Sequence, residues 1–238
     1  MDLIRIEFMK VKKFSLVLLS ILAPIPAILF SVKLYSNLSR NSQELNGTEI
    51  FMNLSWAMYV GMFLPMLIMY VVCSISKIEN ANNGWRQLMM LPMKKWKIYF
   101  SKSIINILII GISLISFFIM CIIASYILSG EVDFQVIIIK KLIEIFITII
   151  PTILVLFIIS RNFRTLIVPI GVGTLLILSS ALFVQSNYWI YAPWTYPLAV
   201  SMGSLSEKEI CMVLIISMSL SIILFLGDLF RFIHKDVI

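Results

Sequence analysis

Charge is scarce in this chain. Asp, Glu, Lys and Arg make up 13% of its 238 residues and hydrophobic residues 61%, whereas a soluble domain carries about 25% charged residues. That balance excludes an ordinary soluble domain. Histidine occurs once, at His234 on the polar C-terminal tail, and no His or Cys pair has metal-ligand spacing. Paired catalytic carboxylates are also missing, so a membrane metalloprotease or intramembrane hydrolase finds no support. The three cysteines, Cys73, Cys121 and Cys211, lie far apart in or beside apolar runs and read as small buried hydrophobes. No G-x-x-x-x-G-K-[ST] run occurs, so the chain has no phosphate-binding loop of its own. Internal repeats, low-complexity tracts and a polar stretch long enough for a soluble domain are all lacking. The net charge of +7 does not point to nucleic acid, because the basic residues gather at the ends of apolar runs.

What is present is hydrophobic length. Apolar runs cover about 14–32, 51–76, 99–128, 135–160, 165–184 and 210–226. A helix of about 20 residues, at 1.5 Å per residue, crosses a hydrocarbon core of about 30 Å. The pattern predicts an all-α polytopic membrane protein with six transmembrane helices in a single transmembrane domain. The first run is too long for a signal-peptide core and reads as a retained anchor, kinked at Pro24 and Pro26. Residues 1–13 read as an interfacial helix over anionic headgroups or as a plain basic tail. Trp56 and Tyr59, then Trp96 and Tyr99, mark expected interfaces. Six crossings put both termini on one side, and 14 of the 19 basic residues fall on that side. The positive-inside rule makes it cytoplasmic.

The polar segment 77–98 is therefore a cytoplasmic loop. Within it Trp85, Leu88 and Met89 recur at i, i+3, i+4, on one face of a short helix that Pro92 closes. Such a ridge docks a soluble partner, or lies against the bilayer or the protein's own inner ends. Glu79, Gly84 and Arg86 flank it.

Two further features face the other side. Segment 185–209 holds Tyr188, Trp189, Tyr191, Trp194 and Tyr196 with Pro193 and Pro197. It reads as an aromatic belt, or as short re-entrant or interfacial helices that contact an amphipathic molecule or a lipid headgroup. Glu144 stands either about 13 Å into the fourth run or, if that run starts near Leu142, at the interface. Lys140 and Lys141 lie at i−4 and i−3, so it forms a local ion pair or lines a polar cleft. Asp228 is expected to pair with nearby Arg231 at a helix end.

Glu79 with Gly84-Trp85-Arg86, Leu91-Pro92, Ile98-Tyr99 with Ser101-Lys102, and Pro193-Trp194-Thr195-Tyr196-Pro197 carry a resemblance. In these phrases and in its whole layout the chain resembles ABC type-2 permeases. Within them it is similar to permease subunits of lantibiotic immunity and antimicrobial-peptide resistance transporters. The resemblance implies no cofactor in this chain, with ATP and Mg held by a partner ATP-binding subunit dimer, and a second permease subunit, a paralogue, beside it. The helix around Trp85 would be the coupling helix in a groove of the ATPase, pushing spans two and three as rigid bodies. The substrate would be a lantibiotic or similar antimicrobial peptide, expelled from the plasma membrane of a Gram-positive bacterium. Another amphipathic compound, bacitracin-like or self-made, and a non-transporting sensor or scaffold remain as alternatives.

Overall fold

The computed structural model describes residues 15–39, 47–80, 94–129, 136–163 and 165–234, and every regular element among them is helical. Helix α1 is Ser15–Leu22 and α2 is Pro24–Ser39. Pro24 and Pro26 thus open a new helix after a break at Ala23, where proline's missing N–H does no harm. Helix α3, Gly47–Met58, passes through one π-helical stretch, Tyr59–Phe63, into α4, Leu64–Asn80. Two long helices, α5 Lys95–Ser129 and α6 Val136–Asn162, and the shorter α7 Ile167–Phe183 follow the polar segment. Two short 3-10 turns lead to α8, Tyr196–Met202, and the chain returns through α9, Glu207–His234.

Five stretches are long and apolar enough to cross a membrane: Leu16–Asn37, Ile50–Lys77, Lys95–Leu128, Ile138–Asn162 and Glu207–His234. Helix α7 has 17 residues and rises only about 25 Å, less than the hydrocarbon thickness. Its neighbours decide its role. Lys140 meets Glu207, and Arg161 meets Asp228, with the same sequence offset of 67 residues. Helices α6 and α9 therefore run parallel and in register. Each pair of partners is separated by the same interval along its helix, 140 to 161 and 207 to 228, or about 31 Å. The chain must travel from the Arg161 end back to the Glu207 end between them, and α7 with the aromatic segment makes that return.

In a lipid environment apolar area does not drive helices together, so close packing and internal hydrogen bonding do. The core follows that rule. Tyr59 stacks on Phe117 at 4.2 Å, Trp56 meets the same ring edge-on at 4.9 Å, and Tyr59 Oη lies 2.6 Å from Ser113 Oγ. Buried serines close onto their own helices, as Ser31 Oγ donates to Ala27, Ser55 Oγ to Phe51 and Ser221 Oγ to Ser217. Gly173 lets α7 approach α4, for a Cβ there would stand 2.8 Å from Met69 Sδ.

Candidate functional site

Polar side chains gather at the two ends of the α6/α9 pair. At the Glu207 end, α9 starts with a capping box formed by Ser206 and Glu209. The Ser206 N–H and Oγ–H both donate to Glu209 Oε2, at 2.8 and 2.7 Å. The helix thus begins ahead of residue 210, where the apolar run begins, and Glu207 projects from its first turn. Lys140 Nζ donates to both Glu207 oxygens, at 2.7 and 2.8 Å. Lys141 Nζ donates to Asn53 Oδ1 at 3.3 Å and lies 5.8 Å from the Trp56 ring. Gly203, at φ +69, ends α8 in the left-handed region that glycine adopts without strain.

Glu144 is 7% exposed and lies one turn inward from this rim, about 6 Å by helical rise. Its ion pair with Lys140 is long, 3.9 Å, because Lys140 is drawn to Glu207. The carboxylate therefore sits near cations without a close partner among the described residues.

The aromatic segment divides in two. Tyr191 is 80% exposed and Tyr188 is also exposed, while Tyr196 is fully buried. Tyr196 Oη donates to the Ile190 carbonyl, and its ring meets Trp189 edge-on at 6.1 Å. Burial raises the Tyr196 phenol pKa above its ordinary value. Trp194 packs edge-on to Phe183 at 6.4 Å. With Val60, Thr152, Gly173, Ser180 and Leu198, Trp194 lines a narrow, mainly apolar crevice. Glu144 is not on that crevice. The two halves of the expected pathway thus lie on neighbouring elements, α6 and the α7–α8 connection.

At the opposite end Asp228 does not pair with Arg231. Arg161 Nη2 donates to Asp228 Oδ1 at 2.6 Å, with 8% and 3% of the two side chains exposed. Arg231 follows Asp228 on the same helix by only three residues, whereas α6 delivers Arg161 to the buried face of α9. The guanidinium lies 5.5 Å from the Tyr99 ring and 5.0 Å from that of Phe232. Tyr99 also packs against Phe157 and Phe225. It was expected at a membrane interface, yet it is a core residue, and Ile98, Ser101 and Lys102 beside it are buried too.

Residues 3–180 match the family described as ABC-2 family transporter protein. The chain belongs to that family. No curated protein and no solved structure matches it. The family makes this chain the membrane permease part of an ABC transporter, multi-pass and not itself catalytic, and implies an ATP-binding subunit as partner. In this permease Glu79 lies in the last turn of α4. Gly84, Trp85, Arg86, Leu88 and Met89 lie outside the described residues. Sequence reasoning missed the Arg161–Asp228 pair. The available signal was a lone acid within an apolar run near the end of the last span, with a lone Arg at the matching end of span four.

Proposed function

We propose that this permease subunit, with a second related permease and a dimer of ATP-binding subunits, expels a lantibiotic or similar cationic antimicrobial peptide from the membrane and so confers immunity. ATP and Mg bind the partner subunits. The helix around Trp85, with Leu88 and Met89 as its ridge and Glu79, Gly84 and Arg86 flanking it, seats in the ATPase and passes its motion to the spans. The Arg161 end faces the cytoplasm, with both termini, and the Glu207 end faces outward.

Glu144 is the observation that carries the peptide reading. A carboxylate one turn below the outward rim, with only a long ion pair among the described residues, offers a charge to a cationic ligand arriving from that side. Tyr188 and Tyr191, exposed on the rim, and Trp189 and Trp194 behind them suit the apolar face of an amphipathic peptide.

The test begins with the tagged chain, purified in mild detergent from its native membrane, and with identification of what accompanies it. An ATP-binding subunit and a second permease are expected. Deleting the chain should then sensitise cells to a panel of lantibiotics. Unchanged sensitivity to the lantibiotics with altered sensitivity to bacitracin would shift the substrate. Co-elution of a kinase without any ATPase would replace the pump with a sensor.

A further inference from the structure

Packing alone does not explain the Arg161–Asp228 pair. A buried ion pair adds little net stability, since desolvation offsets its attraction, and an apolar pair of similar volume packs as well. What an ion pair has and an apolar contact lacks is direction. Greasy helix surfaces slide past one another with small energy changes. Opposite charges in a poorly screened site resist separation, because their attraction is strong and falls with distance.

The location is as telling as the chemistry. Asp228 comes from α9, Arg161 from α6, and the Tyr99 ring beside the guanidinium from the first turns of α5. Lys95 Nζ donates to the Ile233 carbonyl at 3.0 Å, which also joins the start of α5 to the end of α9. Three spans therefore meet where the polar segment 81–94 feeds into α5. Asp228 Oδ2, Arg161 Nη1 and Tyr99 Oη are buried with no hydrogen-bond partner among the described residues. The spare atoms let a small rotation exchange one hydrogen bond for another while the pair stays closed. At the far end of the same two helices the Lys140–Glu207 pair is exposed, 48% and 82%, and holds them loosely.

We propose that Arg161 and Asp228 are positioning residues for transport, a closed pivot that makes the ends of α5, α6 and α9 move as one. Movement imposed before α5 then reaches the Glu207 end through the parallel α6/α9 pair, which opens there because its tie at that end is weak. This rests on the permease reading, in which an ATPase drives the chain.

The test uses the whole complex with its ATP-binding subunit, reconstituted in liposomes. Spin labels are placed by Ile143→Cys on α6 and Met212→Cys on α9, exposed positions towards the Glu207 end, with Cys211→Ser removing the exposed thiol. Their separation is compared with ADP and with ATP plus vanadate. The complex with the native pair should show a change. Arg161→Met with Asp228→Leu should assemble and hydrolyse ATP at the basal rate, yet lose that change. It should also lose about tenfold in the stimulation of hydrolysis by a lantibiotic that stimulates the native complex. Arg161→Asp with Asp228→Arg should recover part of both. If the apolar pair does not assemble, Asp228→Asn, which keeps the shape, is read by the same criteria. A full distance change in the neutral variants, or none in the native complex, overturns the pivot. Purification without an ATPase overturns the permease reading instead.

Discussion

Tyr59 serves two contacts that can be separated. Its ring stacks on Phe117 and its hydroxyl meets Ser113, both buried within the membrane-spanning bundle. Tyr59→Phe keeps the stack and removes the hydrogen bond, which should lower stability by about 0.6 kcal/mol, the usual size for such bonds between membrane helices. Phe117→Ala removes the ring on which Trp56 and Tyr59 both pack and should cost about 3–5 kcal/mol. Thermal unfolding in detergent measures both, and equal losses would contradict the assignment. Glu144 belongs to this scale as well. Glu144→Gln should leave expression unchanged and reduce lantibiotic resistance on the order of tenfold, the worth of one charged contact of about 1.5 kcal/mol. Unchanged inhibitory concentrations would remove Glu144 from the pathway.

Among elements, α7 is the one whose length and role disagree. At 17 residues it is short for a crossing, yet the parallel α6 and α9 require a return path between their opposite ends. Gly173 is where it leans on α4, so closely that an added Cβ would press on Met69. Gly173→Ala should be tolerated, because Met69 is a flexible side chain that can move aside. Gly173→Leu overpacks the same contact and should destabilise by about 1–3 kcal/mol. Equal melting temperatures for the two variants would mean that α7 is not held there. The other boundaries show what periodicity can and cannot mark. Apolar content located α5, but the helix begins at Lys95 rather than residue 99, since a lysine-rich turn is helical without being apolar. Ser206 and Glu209 form a capping box ahead of α9, hydrogen bonding that hydropathy does not register.

For the whole molecule, the ends differ in kind. One carries the buried Arg161–Asp228 pair with Lys77, Lys95 and Lys97 nearby in the sequence of helix ends. The other carries the exposed Lys140–Glu207 pair and the aromatic segment. The excess of basic residues at the first end is the basis for proposing that it faces the cytoplasm. With Cys211→Ser as background, a membrane-impermeant maleimide added to whole cells should label Tyr126→Cys and spare Trp96→Cys. The reverse pattern would invert the topology and move the proposed coupling loop to the wrong side for an ATPase.

Hydrophobic run length by itself determined that this is a helical membrane protein, because lipid requires each crossing segment to satisfy its own backbone hydrogen bonds and to be apolar over about 20 residues. Run spacing located the loops for the same reason. Only tertiary structure decided which charges meet. Asp228 has Arg231 within reach along its own helix, but helix rotation turns its carboxylate inward to Arg161, 67 residues away. Likewise Tyr99 and Tyr196 read as interfacial aromatics and are buried, since an aromatic ring with a polar tip suits an interface or a satisfied core equally well. Partner choice depends on how helices turn and pair, and local composition carries no record of that.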